Sequence, residues 1–380
     1  MSKLLKYEGF NYLRQRLILA TLSGKPVRIE KIRSDDENPG LKGEFCLVLT
    51  GRSEKAMLIQ SGNLDFEMKF LNLLEKVTNG SVIEISYTGT SILYRPGAIE
   101  GGRIQHDCGT DRSISYFLEP MIALAPFSKK PFVLILEGIT TDHIDPSVDI
   151  IRTVLLPQLK RFGVDQNLEL KITKRGAPPL GGGEVMFTCV PVRQLKPIQF
   201  TEEGRIKRVR GIAYCTRVSP QTANRLVESA RSLLNRYIPD IYIYTDVYKG
   251  AESGKSPGFA LSLVAESTTD VLLSAEKAAE PGQTPEDVGI IASKMLLNEI
   301  RKGGCVDTTS QWLNLLLMIL APEDVGKIRV GELSAFTIQY LRDLKSFFGV
   351  SFKIQPDNSN DTIVMTCMGI GYVNQNKKTT

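Results

Sequence analysis

Histidine and tryptophan are nearly absent from this chain of 380 residues, which has only His106, His143 and a single tryptophan. No pair of histidines stands at metal-ligand spacing, and no nucleophile-elbow, kinase or metalloprotease signature is present. The six cysteines, Cys46, Cys108, Cys189, Cys215, Cys305 and Cys367, lie far apart with no C-x-x-C pair. Neither a zinc site nor a disulfide framework is signalled, and reduced thiols in a cytosolic or nuclear setting are expected. No apolar run approaches the roughly 18 residues that span a bilayer, and the start MSKLLKYEGF has neither a signal-peptide core nor a cleavage site. A soluble protein that is not secreted and has no membrane partner is expected.

What is present is ordinary globular composition, 42% hydrophobic and 23% charged, in a chain long enough to bury a large core. A net charge of +5 with a pI near 8.7 is mildly basic. That balance permits a nucleic-acid partner without demanding one.

Periodicity shows one order of elements three times: helix, strand, helix, strand, strand. The first copy starts with a helix over about residues 10 to 23 that reads as amphipathic and stops at Gly24. The second runs from SISYFLEPMIALAPF through PFVLILEGIT and SVDIIRTVLLPQLKRFG to the paired strands NLELKITKRG and GGEVMFTCVPV. The third begins at TTSQWLNLLLMILAP. In each copy the second helix stops at a glycine, Gly80, Gly163 or Gly349, and a strand starts within a few residues. Repetition of this kind predicts an α+β fold, with one large domain over residues 1–189 and 286–380. Between the second and third copies the order changes, which predicts a smaller inserted α/β domain over residues 190–285.

Four stretches carry candidate chemistry. KRGAPPLGGGE places Lys174 and Arg175 beside Gly181, Gly182 and Gly183. Consecutive glycines let a ligand or another backbone come close, and the cations suit an anion, although the same residues also make a plain β-hairpin turn. The entry to the insert carries Arg193, Lys196, Arg205, Lys207, Arg208 and Arg210 against only Glu202 and Glu203. A patch of that density suits RNA or an acidic partner, and equally a solvated hairpin. GAESGKS resembles a phosphate loop, but Lys249 stands where its first glycine is required and Pro257-Gly258 lead into a strand rather than a helix, so a flexible loop is expected instead. GGRIQHDCGTDRS reads as a Gly-rich polar surface loop before a helix, with His106, Arg103, Asp107, Asp111 and Arg112 together. His143, beside Asp142 and Asp145, is explained by helix capping from Asp145 or Ser147.

Taken together, PVRIEKIR followed by PGLK, ISYTGTSILYRPG-x-x-x-GG, the turn into SISYFLEP and KRGAPPLGGGEV resemble the RNA 3′-terminal phosphate cyclases along essentially the whole chain. The spelling of LATLSGKP, LAPFSKKPF, YCTRVSPQTANR and SGKSPG is similar to a eukaryotic, cyclase-like branch of that family that serves ribosome biogenesis. True cyclases take ATP and form an adenylate on a histidine near the C-terminus. In this sequence the corresponding segment, GELSAFTIQYL, has no histidine, and the matching place is at or near Phe336. A phenyl ring has no lone pair with which to attack a phosphate. Glu44 and Phe45 stand where basic and histidine residues follow the family's P-G-L, and Thr110-Asp111-Arg112-Ser113 replace its T-A-G-S.

The resemblance therefore implies a non-cyclising relative with no cofactor. Its cleft would be walled by Arg14, Arg33, Lys42, Arg103, Arg112, Lys174, Arg175 and Gly181 to Gly183. The implied role is early pre-rRNA processing for the small (40S) ribosomal subunit, within the small-subunit processome of the nucleolus, with a nucleolar GTPase and pre-rRNA as partners. Two rivals stay open. One is an endoribonuclease using Asp107, Asp111, Arg112 or His106 with a divalent metal. The other is a cyclase with a displaced nucleophile.

Overall fold

A computed structural model describes residues 3–37, 39–41, 66–357 and 361–375. Lys42, Glu44 and Phe45, all singled out by the sequence, lie outside the described residues. The first copy consists of β1 (Leu5–Glu8), α1 (Leu13–Ser23), β2 (Val27–Glu30), α2 (Phe66–Val77), β3 (Val82–Ile85) and β4 (Ile92–Arg95). The second consists of β5 (Gly102–Asp107), α3 (Ile114–Leu124), β6 (Phe132–Gly138), a helix α4 over 148–161, β7 (Glu169–Lys174) and β8 (Gly183–Cys189). After β9 (Gln199–Phe200) the third copy is interrupted by β10 (Ile206–Thr216), α5 (Pro220–Leu234), β11 (Ile241–Tyr248), β12 (Gly258–Ser267), β13 (Leu272–Ala278) and α6 (Pro285–Lys302). It resumes with α7 (Gln311–Leu320), β14 (Val325–Val330), α8 (Ala335–Phe348), β15 (Lys353–Asp357) and β16 (Thr362–Met368). The fold is α+β.

The three copies share one sheet topology among the described residues, with orders β1-β2-β4-β3, β5-β6-β8-β7 and β9-β14-β16-β15. In each sheet the leading strand runs parallel to its neighbour and the other pairings are antiparallel. A leading strand thus precedes the helix-strand-helix-strand-strand order expected from the sequence. These strands escape a periodicity reading for physical reasons: β1 and β9 are too short to show alternation, and β5 sits behind two glycines with polar residues on its outward face. The inserted sheet has order β11-β10-β12-β13 and packs one face on α5 and α6. Since α6 packs on α5, β12 and β13, we place the insert's boundary after α6 rather than at residue 285.

The first helix is not amphipathic. From Leu17 to Leu22 every residue of α1 is buried, because the helix lies between α3 and α8. Full burial of Leu17 and Leu19 stabilises by about 2 kcal/mol each relative to exposure. Its buried charge, Arg16, meets buried Asp343 of α8 at 3.0 Å, with the guanidinium stacked over Tyr7. The first and third copies are thereby clamped together.

The glycine segment is a hairpin joining β7 to β8, with Glu184 paired to Lys174. Its glycines accommodate other backbones. The segment carrying GAESGKS, expected to be flexible, docks on the hairpin: the Gly254 amide donates to the Arg175 carbonyl at 2.5 Å, the Lys255 amide to the Gly181 carbonyl at 2.9 Å, and the Leu180 amide to Ser256 Oγ at 3.0 Å. A Cβ on Gly254 would sit 2.2 Å from the Gly181 oxygen and 2.8 Å from the Arg175 oxygen. We therefore expect Gly254→Ala to destabilise the protein by roughly 1–3 kcal/mol, as overpacking does. An unchanged urea midpoint would show that this joint does not hold the insert.

Candidate functional site

Where β5, β6 and the glycine hairpin meet the docked loop, a cavity of about 300 Å³ opens. Its lysines are Lys69, Lys174 and Lys255, and its carboxylates are Asp107, Asp111, Glu137 and Glu184. Carboxylates outnumber lysines, so this is a mixed-charge cleft. Strand alternation places Gln105 and Asp107 on the cavity side of β5. Lys69 reaches Asp107 at 3.0 Å and Gln105 donates to Glu137 at 2.6 Å, while Lys174 is 3.8 Å from Glu184. Burial works against ionisation of Asp107, but the Gly109 amide and the Lys69 ammonium outweigh it and hold its pKa below the usual value. Gly182 adopts φ +84° and, with Gly183, lines the wall without a side chain to fill it.

His106 is not on a surface loop. It points inward from β5, 5% exposed, with its ring 5.8 Å from that of Phe117. Burial, reinforced by the Lys76 ammonium, pushes its pKa down to about 4. Asp107 leaves the opposite face of the same strand, so His106 does not join Asp107 and Asp111 at the cavity. Among the described residues, no group of three or more His, Cys, Asp and Glu side chains is arranged to hold a metal ion.

The arginines expected to wall a cleft are occupied. Arg33 makes a bidentate pair with Glu67 at 2.7 and 2.9 Å and donates to the Gly40 carbonyl. Arg112 binds Asp145 through two bonds of 2.6 and 2.7 Å. Arg14 donates to the Tyr116 carbonyl and lies 3.5 Å from Glu119. Aromatic faces close the other side: Arg14 and Arg112 stack on Tyr116 at 4.0 and 4.6 Å, and Arg33 on Phe10 at 4.1 Å. Burial drives Glu119 up to about 7 despite Arg14. The cluster is satisfied within the protein. Arg103 stands exposed on β5, away from this cluster.

Arg175 has no exposed side-chain surface. It grips Asp149 of α4 with bonds of 2.5 and 2.9 Å and Asp246 of β11 with bonds of 2.7 and 3.1 Å, its flat face on the Tyr214 ring. Burial alone would weaken its proton affinity, but the two carboxylates raise it instead. Arg175 thus builds the joint beneath the cavity and does not face it. His143 is exposed, and Ser147 caps α4, its Oγ accepting from the Ile150 amide, while Asp145 is taken by Arg112.

Phe336 stands in the first turn of α8, stacked on Tyr340 one turn later at 5.9 Å and tilted against Tyr12 at 5.4 Å. On the insert, the basic residues lie on the central strand β10 and its entry: Lys207 and Arg208 bond Glu266, Arg210 bonds Asp240, and Arg205 is exposed. Of the residues that the sequence singled out in separate stretches, the structure brings Lys174, Gly182, Gly183, Asp107 and Asp111 to one cavity. Sequence reading did not single out Lys69 or Glu137, which sit on a helix and a strand with no motif of their own, nor did it pick Lys255 out of GAESGKS or Glu184 out of KRGAPPLGGGE as cavity residues.

The profile of the RNA 3′-terminal phosphate cyclase family matches residues 5–49 and 51–354. The chain is similar to the RNA 3′-terminal phosphate cyclase-like protein of Homo sapiens, 53% identical with 98% of this chain and 97% of that protein covered. It is also similar to an rRNA processing protein of Schizosaccharomyces pombe, 48% identical over 99% of each chain. A probable cyclase-like protein of Dictyostelium discoideum is 48% identical, covering 99% of this chain and all of its own length.

Because Asp149 is 1% exposed, Arg175→Met leaves a buried carboxylate short of its main partner. A loss of roughly 3 kcal/mol in urea denaturation is expected, with part of it recovered when Asp149→Leu is added. Additive losses from the two changes would show that the pair is not coupled.

Proposed function

This chain belongs to the RNA 3′-terminal phosphate cyclase family, and from that membership we propose a non-cyclising member that binds RNA in pre-rRNA processing. The observation that carries the non-cyclising part is the aromatic stack of Tyr12, Phe336 and Tyr340 at the place where the family resemblance sets the nucleophilic histidine. Three arginines of the former cleft are already held by Glu119, Glu67 and Asp145. A triphosphate arriving there would have to displace buried carboxylates, each of which would be left unpaired. The processing role is supported by the names of full-length relatives, one a cyclase-like protein and one an rRNA processing protein.

RNA contact is assigned to the mixed-charge cavity. Lys174 and Lys255 supply ammonium groups for phosphates, and the carboxylates accept from ribose hydroxyls. Finer features follow from the family resemblance: early cleavage steps for the small ribosomal subunit, a nucleolar GTPase as direct partner, and a nucleolar location. The protein acts there by binding within a larger assembly.

Two measurements test this reading. Incubation with ATP labelled on the α-phosphate should leave the protein unlabelled, whereas a stable protein adenylate would overturn the non-cyclising assignment. A pre-rRNA spacer transcript should be bound and left intact. Lys174→Glu with Lys255→Glu should weaken binding and lower the salt dependence by about one unit of log–log slope per lysine. Affinity unchanged by both substitutions would remove the cavity from RNA contact, and site-specific cutting that Asp111→Ala abolishes would replace binding with nuclease chemistry.

A further inference from the structure

The inserted sheet presents a second surface that the cavity does not explain. Along β11, alternation sends Ile241 and Ile243 inward beneath α5 and Tyr242 and Tyr244 outward. These two tyrosines keep 53% and 57% of their surface exposed, and their rings meet edge to face with centroids 4.5 Å apart. Tyr237, 67% exposed, stands just before the strand. Of four tyrosines that are largely exposed among the described residues, three therefore fall within this one short segment.

The position of β11 in the sheet decides what these rings can meet. It is an edge strand, and on the sheet's outward face Arg210 stands directly opposite Tyr242 and Ile212 opposite Tyr244. Farther in, the same face is closed by the repeats: Ser262 reaches Ser147 of α4, and Ser274 donates to Asp307. The open part is thus a narrow margin of two aromatic rings with a guanidinium beside them.

Chemistry favours one occupant. Aromatic rings on a sheet whose other face is anchored by helices accept unpaired bases by stacking, and a neighbouring guanidinium accepts the connecting phosphate. Arg210 is now bonded to Asp240 in a pair exposed on both sides, and exposed pairs hold weakly against a competing anion. The same strand carries Lys207 and Arg208, which pair with Glu266 and, for Lys207, also with Asp270, so the margin continues into a row of ion pairs. We propose that Tyr242 and Tyr244, with Arg210 beside them, form a stacking platform for unpaired bases of single-stranded RNA. This rests on the RNA-binding reading above and adds a second contact, on the insert, that recognises bases in addition to backbone.

The test uses the full-length protein and a fluorescent oligouridine of about ten nucleotides, compared with an abasic strand of the same length. Tyr242→Ala with Tyr244→Ala should weaken oligouridine binding roughly tenfold or more while leaving abasic binding and the salt slope unchanged. Tyr242→Phe with Tyr244→Phe, which keeps the rings and the packing, should bind oligouridine as the wild type does, and it serves as the control should the alanine pair fail to fold. The platform is overturned if the alanine pair binds oligouridine normally, if both strands lose affinity equally, or if the phenylalanine pair is as weak as the alanine pair. It is overturned too if the alanine pair releases a protein partner while RNA binding stands. If the platform alone is wrong, the effect of Lys174→Glu and Lys255→Glu on the spacer transcript persists. If the wild type binds no RNA at all, the functional reading fails with it.

Discussion

Arg175 is the residue on which the arrangement of this molecule depends. A guanidinium with no access to water must be neutralised and hydrogen-bonded, and the two carboxylates that do this come from different units. Asp149 belongs to the second repeat and Asp246 to the insert, while the Tyr214 ring beneath belongs to the insert's central strand. Separating insert from repeat would expose part of this set and strand the rest. The interaction therefore specifies where the insert sits, in addition to holding it there.

The glycines next to Arg175 follow from the same constraint. For the carboxylates to reach it, the loop around Gly254 must lie against the hairpin with backbone touching backbone, and a side chain at Gly254 would collide with the Gly181 oxygen. Close approach, the property that first makes KRGAPPLGGGE look like a ligand site, is used mainly by the protein on itself. What remains for a ligand is the rim, where Lys174 and Lys255 flank Gly182 above the buried joint.

The arginines that the resemblance led one to expect in a cleft are held inside the structure. Arg14, Arg33 and Arg112 each have a carboxylate on one side and an aromatic ring on the other, an arrangement that keeps each guanidinium largely out of solvent. Their positive charge is consumed locally. In the proposed reading, contact with an external polyanion then falls to the lysines at the cavity rim and to the exposed margin of the insert.

Much of this was legible in the chain. Helix stops at Gly163 and Gly349, the hairpin at KRGAPPLGGGE, the threefold recurrence and the missing histidine before Tyr340 are local features, readable because periodicity and glycine conformations act over a few residues. The leading strands were not legible, since β9 has only two residues and forms by pairing with β14, distant in sequence. Nor was it legible which cations are free. Arg16 finds Asp343 across 327 positions and Arg175 finds Asp246 across 71, and no spacing rule links such partners. His106 illustrates the same divide: its sequence neighbours are polar and suggest a loop, but pairing of β5 with β6 turns its ring into the core. By itself the sequence determined the repeated elements and the lack of a histidine in GELSAFTIQYL. Tertiary structure alone decided the charge state and accessibility of the site, because neutralisation and burial depend on what the fold brings alongside each group.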